Sequence, residues 1–349
     1  MRTNVFKIGS LIFASILTVI TLMGCNKSKK ESAAGDKKKT YTVATSAYPA
    51  FYLLYIAQEE GFYKKEGLDV NVVYFPVYSD SVMAFSTGQA DAIGIAMPDT
   101  IAPYISGVPI EAIAMLDNSN GADGIVGREG ISSLADLKGK SIATEYGTIE
   151  HFFLAKRLES AGLTMDDIKF VNLSIADSGP AFLANTVDAA SLWEPTLSES
   201  LARPGCTLLT SSEDTPGLIA DVFAVNKNMP EADKIAFVKA LYDSLDFYYK
   251  NPKKAISDMA RCAEIPEEEM WVSMSGSKLF SPKEAYETMS SKAQEYTALA
   301  YDVQEVANFL YSIKMIESCP DVSGIINPEP AKKVLDEIGD FPVPDTKKY

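Results

Sequence analysis

Trp193, Glu194 and Pro195 place an aromatic face, a carboxylate and a rigid bend on three consecutive residues, a grouping suited to gripping a small molecule. The Glu194 carboxylate can pair with an amine or accept a ring N–H. Comparable groups recur at Tyr48 and Pro49, at Tyr78, Ser79, Asp80 and Ser81, and at Pro98, Asp99 and Thr100. Tyr146, Gly147 and Thr148 form another, followed by His151, the only histidine. Ser79, Ser81 and Thr148 beside helix-start N–H groups would hold an anion. Tyr48, Tyr78 and Tyr146 together suggest an aromatic wall around an organic ligand. Each residue also has a plainer reading. Trp193 can belong to the core, and Glu194 and Asp99 can be solvated carboxylates stabilised by a helix dipole. His151, one turn into a helix, can be packed or at the surface, and the hydroxyls can be simple caps.

These groups meet only if the elements carrying them share an edge. From Thr40, short β-branched runs alternate with amphipathic helices, the pattern of α/β layers with mostly parallel strands. Tyr41 to Ser46 reads as a strand, Ala50 to Glu60 as a helix stopped by Gly61, and Asp69 to Phe75 as the next strand. Ser79 and Asp80 supply capping oxygens for a helix through Ser86. Ala90 to Ala96 and Ile110 to Leu116 complete four strands.

An internal echo follows 97 positions later. Ala84-Phe85 matches Ala181-Phe182, Asp91-Ala92 matches Asp188-Ala189, and Pro98 matches Pro195. In both copies a helix leads into an Asp-Ala strand that ends at a proline, which suggests two lobes built from the same α/β unit. Open α/β units bind ligands outside the carboxyl ends of their strands, so the proline-bearing ends mark the expected cleft.

The stretch Ala44 to Thr100 carries Ala57-Gln58-Glu59-Glu60-Gly61-Phe62-Tyr63, Lys65-Glu66-Gly67-Leu68-Asp69-Val70 and Ser86-Thr87-Gly88-Gln89-Ala90-Asp91. With Leu134-Ala135-Asp136-Leu137-Lys138-Gly139-Lys140, Gly147-Thr148 and Trp193-Glu194-Pro195, it resembles solute-binding proteins of the nitrate, sulfonate and taurine importers and their thiamine-precursor relatives. The resemblance spans roughly Tyr41 to Asn228. It implies a type II periplasmic-binding fold, two α/β lobes around a ligand cleft, with residues 41–127 opening lobe one, 128–221 forming lobe two and 222–349 returning to lobe one. Val222 to Val225 is the return run, and Lys234 to Lys250 shows a helical apolar stripe.

The resemblance also implies a monomer that captures a small organic solute by lobe closure and delivers it to the permease and ATPase subunits of an ABC importer. A sulfonate or taurine-like ligand is preferred for the hydroxyls and Glu194. A flat thiamine-precursor pyrimidine on Trp193 is the alternative. No arginine stands in the cleft-edge segments, which disfavours nitrate.

With one histidine and no HExxH, GxSxG, Walker A or GxGxxG sequence, the usual nucleophile, zinc and nucleotide signatures are absent, and no cofactor is expected. A carboxylate-based or pyrimidine-synthase-like enzyme stays open as a second class, and a tethered sensor as a third. Residues 1–40 hold eight basic and two acidic residues, so the net charge of −15 becomes −21 for residues 41–349. A body that acidic lacks the basic footprint of nucleic-acid binders.

Arg2 and Lys7 precede a weakly polar-to-apolar run from Ile8 to Gly24, the form of a secretory signal over residues 1–24. Leu22-Met23-Gly24-Cys25 resembles the bacterial lipobox, with Met23 a departure from the usual small residue. That makes Cys25 the expected site of lipidation and the outer face of the cell membrane the expected location. Residues 25–40, rich in Lys, Ser, Ala and Gly, read as a flexible basic tether. Cys206, Cys262 and Cys319 are too widely spaced for a disulfide framework or a CxxC metal pair.

Overall fold

The computed structural model describes residues 39–344. The signal segment, Cys25 and most of the tether lie outside the described residues. Lys39 and Thr40, expected in the tether, belong to the folded body. Lys39 Nζ bonds Asp91 Oδ1 at 2.6 Å and the Thr40 hydroxyl donates to Asp69 Oδ2 at 2.5 Å.

The strands in chain order are β1 Thr40–Ser46, β2 Asp69–Phe75, β3 Ala92–Ala96, β4 Ile110–Ser119, β5 Asp123–Gly127 and β6 Ser141–Thr144. They continue with β7 Lys169–Asn172, β8 Ala189–Trp193, β9 Thr207–Ser211, β10 Ala220–Asn226 and β11 Ser277–Leu279. Two sheets result, ordered β11-β4-β10-β3-β1-β2 and β7-β6-β8-β5-β9.

The sheets are mixed, which corrects the mostly parallel expectation. In each, a parallel trio (β2-β1-β3 and β7-β6-β8) is bordered by an antiparallel strand that has just arrived from the other sheet, β10 in the first and β5 in the second. Periodicity gives each strand its type but carries no information about its direction. The chain changes sheet between Ser119 and Asp123, ahead of Gly127, and returns between Ser211 and Ala220.

The internal echo is structural. Helices Tyr78–Ser86 and Ile175–Leu183 begin 97 positions apart, as do β3 and β8, and β4 and β9. Both helices carry their apolar side against the parallel trio and both run into a central, fully buried strand. The two crossings are tied together where they pass. The Ser119 and Ser212 hydroxyls lie 2.6 Å apart, and Ser119 N–H donates to the Ile219 carbonyl at 2.9 Å.

The expected caps differ. Helix Tyr78–Ser86 starts one residue earlier than Ser79, with Val77 at the cap position and no side-chain cap bond. Ser81 turns back to the Tyr78 carbonyl at 2.6 Å instead. Pro49–Tyr52 forms a tight 3-10 turn ahead of helix Leu53–Glu59, where one continuous helix was expected. The return segment adds helix Glu231–Lys250, whose Phe237 packs against Tyr41 and Tyr63 over the first sheet. Cys206, Cys262 and Cys319 are free thiols. Among the described residues, no helix is long and apolar enough to cross a membrane.

Candidate functional site

The carboxyl ends of β1, β3 and β8 deliver Tyr48, Pro98 with Asp99, and Trp193 to the junction of the lobes. Tyr78 joins them from its helix start. Its hydroxyl donates to Asp99 Oδ2 at 2.8 Å and accepts the Ala96 N–H at 3.1 Å, so its own lobe fixes the ring. Trp193 from the second lobe meets that ring edge to face, with centroids 5.4 Å apart and planes at 80°. Trp193 is only 7% exposed.

Behind this contact lies a chamber of about 20 Å³ lined by Tyr48, Phe51, Tyr78, Ala96, Asp123, Ile149, Trp193, Ile219 and Asp221. That is room for one water-sized group. Its walls are acidic. Asp117 on β4 and Asp221 on β10 are cross-strand neighbours, and Asp123 on β5 is the cross-strand neighbour of Trp193. Glu150, from helix Ile149–Ser160, accepts the Ser191 hydroxyl at 2.8 Å.

All four carboxylates are buried, and burial raises every one. Asp117 is pushed up to about 6 and Asp123 to about 7. Asp221 and Glu150 rise well above the carboxylate range, through burial first, with Asp117 adding its charge against the former and Asp123 against the latter. Each acid keeps one oxygen with no hydrogen-bond partner: Asp117 Oδ1, Asp123 Oδ2, Glu150 Oε2 and Asp221 Oδ2. The Tyr48 hydroxyl reaches Asp117 Oδ2 only at 3.4 Å.

Outside the Tyr78 ring, a cleft of about 370 Å³ runs between the lobes. Val82, Met83, Pro103, Val108 and Leu310 make it largely apolar, and Ser79, Pro98, Asp99, Glu145, Tyr146, Gly147 and Thr148 complete its rim. No Lys, Arg or His lines either space.

Of the two helix starts expected to cradle an anion, the one after Thr148 is occupied, whereas the start of Tyr78–Ser86 carries no side-chain cap bond. Asp99 takes the Ile149 N–H at the start of helix Ile149–Ser160, and burial pushes its own carboxyl up to about 7. Glu145, also raised by burial, accepts the Ser79 hydroxyl and the Ile175 N–H. The Thr148 hydroxyl donates to the Glu145 carbonyl at 2.9 Å and does not cap.

Tyr48, Tyr78 and Trp193 thus face the inner chamber, and Ser79, Pro98, Asp99, Tyr146, Gly147 and Thr148 the outer cleft. The other candidates are not brought to either space. Pro49 is buried in the turn after β1, Asp80 is exposed in its helix, and the Thr100 hydroxyl bonds the Met97 carbonyl at 2.6 Å. Ser81 is spent on its own helix. His151 is sandwiched under Tyr146 and against Phe170, and burial lowers it to about 4, so it is a neutral packing group. Glu194 accepts the Ser198 hydroxyl at 2.6 Å and the Ser198 N–H at 3.2 Å. Burial pushes it up to about 7.

Sequence reasoning missed Asp117, Asp123, Glu150 and Asp221. Their one signal is an acid at the end of an otherwise apolar run, as Asp117 closes Ile110 to Leu116 and Asp221 precedes Val222 to Val225.

A binding protein of Brucella abortus is 30% identical over 221 residues, covering 60% of this chain and 67% of that protein. The taurine-binding periplasmic protein of Escherichia coli is 27% identical over 261 residues, 70% of this chain and 79% of the other. The alkanesulfonate-binding protein SsuA from Xanthomonas axonopodis pv. citri, bound to MOPS, superposes with a TM-score of 0.70 at 19% identity, over 83% of this chain and 98% of that one. The likeness establishes the type II periplasmic-binding fold. The family model described as NMT1/THI5 like matches residues 48–255, and the chain belongs to that family.

Proposed function

We propose that the protein is the solute-capturing component of an ABC importer, held outside the cell membrane by a lipid on Cys25. It binds a small organic solute between its lobes and presents the closed form to a permease. The observation that carries this reading is the Tyr78–Trp193 contact, made by residues of opposite lobes around a chamber with unsatisfied polar walls. A solute that bridges both lobes stabilises the closed arrangement and shifts the population toward it. The binding-protein relatives favour capture over catalysis. Residues 41–127 and 222–349 serve as one lobe and 128–221 as the other, with the strand Asp123–Gly127 reassigned to the second and Ala220 and Asp221 to the first.

Native mass spectrometry of the protein isolated from its own cells without denaturation tests this reading. A retained small molecule that is lost from Trp193→Ala supports capture. A chain with no adduct, or an adduct indifferent to Trp193, contradicts it.

A further inference from the structure

The chemistry of the chamber narrows the solute class. Asp123 Oδ2 and Asp221 Oδ2 belong to side chains 1% and 2% exposed, have no hydrogen-bond partner, and stand on residues that line the same small void. Asp117 and Glu150 add two further acids behind them. At Glu111 a buried acid is given a counter-charge directly, by Lys234. Here no basic side chain lines the chamber or the outer cleft, and the helix starts at Ile149 and Ile175 are taken by Asp99 and Glu145. Asp117 with Asp221 and Asp123 with Glu150 form side-chain hydrogen-bonded acid pairs, and charging both members of either pair is costly. An anionic solute would add to that repulsion. A resident metal ion is not indicated, since among the described residues no group of acids, His and Cys has metal-holding geometry.

We infer that the solute is an organic cation, with an ammonium group seated between Asp123 and Asp221 and an apolar or flat body extending past Tyr78 into the outer cleft. The inference rests on the capture reading and names its ligand class. The void of about 20 Å³ accommodates one ammonium, a group the size of water. A donor-only cation matches carboxylate oxygens once they have given up their protons, so its binding is coupled to their deprotonation. Trp193 and the tyrosine rings present faces that attract a cation in a dry site. Tyr78 lines both spaces, so the body of the solute passes its ring. The outer cleft, about 370 Å³ and mainly apolar, fits an organic body of modest size.

Calorimetric titration with a matched pair tests the inference: benzylamine and phenylmethanesulfonate share a ring and differ in the sign of the head group. The full-length protein in detergent is titrated at about pH 8, where the amine is charged. Benzylamine should bind at least about tenfold more tightly than the sulfonate. That preference should vanish in Asp123→Asn/Asp221→Asn, whose near-isosteric side chains keep the chamber shape. Circular dichroism and thermal unfolding of the variant show that it folds. Equal or tighter sulfonate binding overturns the inference, as does a preference that survives the double substitution or an absence of benzylamine binding. A solute retained in native mass spectrometry then separates failure of the charge assignment from failure of capture, because a retained anion leaves capture standing and sinks only the cation.

Discussion

Tyr78 and Trp193 come from opposite lobes and meet edge to face with centroids 5.4 Å apart, yet only Tyr78 is fixed by hydrogen bonds on its own lobe. Trp193 closes the chamber by contact alone. Trp193→Ala should therefore weaken solute binding by more than about tenfold, about 1.4 kcal/mol. Its cost to the fold should stay below the roughly 3–5 kcal/mol typical of a buried aromatic truncation, since one side of the ring faces the chamber. Titration together with chemical denaturation separates the two effects. Unchanged affinity would remove Trp193 from the site.

Acidity should stabilise the ligand-free protein. Asp99, Asp123 and Glu194 sit at about 7 and Asp117 at about 6 in the fold, all above their ordinary values, with burial the largest cause. The fold therefore binds more protons than the unfolded chain from about pH 4 to 7, so stability falls as pH rises through that window. Asp221 and Glu150 act in the same sense. His151, lowered to about 4, acts oppositely between about 4 and 6.5, one group against several. The melting temperature should be higher at about pH 5 than at about pH 8, and Asp221→Asn should flatten the difference. A higher melting temperature at the alkaline end would show that the chamber acids are not buried as described.

A cationic solute reverses this dependence. As Asp117, Asp221, Asp123 and Glu150 lose protons, with Asp99, Glu194, Tyr48 and Tyr78 the other titratable groups around them, the amine gains partners. Benzylamine affinity should rise with pH through about 6 to 7, the range of Asp117 and Asp123. Titrations at several pH values read this directly, and a flat profile would mean that the acids do not touch the amine.

Lys234 and Glu111, 5% and 7% exposed, form a buried ion pair that joins helix Glu231–Lys250 to β4. Lys234→Met alone strands a buried carboxylate and should cost about 3–5 kcal/mol. The double variant with Glu111→Leu should recover most of that loss. Urea denaturation of the three proteins measures both steps, and an additive double variant would deny the coupling.

Gly217 lies in the return crossing at φ +87°, and a Cβ there would meet the Tyr296 carbonyl carbon at 2.6 Å and the Thr297 nitrogen at 2.7 Å. Neither backbone atom can yield as a flexible side chain would. Gly217→Ala should destabilise by at least about 1–3 kcal/mol, the range for a strained backbone conformation. A wild-type melting curve would show that the crossing is free to move.

Much of this architecture was legible in the residues. The echo that pairs Ala84-Phe85 with Ala181-Phe182 marks equivalent helices, and Trp193 was placed at a strand end because the echoed Asp188-Ala189 strand stops at Pro195. Strand direction was not legible, since side-chain alternation is the same in parallel and antiparallel strands. The acids of the chamber escaped for a related reason. Asp117, Asp123 and Asp221 flank the crossings, and their proximity depends on β10 inserting beside β4 and on β5 pairing with β8, which no local pattern records. His151 and Glu194 looked equally suited to ligand contact, but burial and local partners claim both.

Capture by closure is tested most directly by the distance between the lobes. Spin labels at Ile338→Cys on the first lobe and Leu208→Cys on the second occupy exposed positions outside the cleft, with Cys206, Cys262 and Cys319 replaced by Ser. Double electron-electron resonance is recorded on solute-stripped protein, then after addition of deproteinised extract of the cells it comes from. Closure on a solute requires the distance distribution to shift toward its shorter component on addition, and the shift to be lost with Trp193→Ala. A single distribution that ignores the extract would contradict capture by lobe closure.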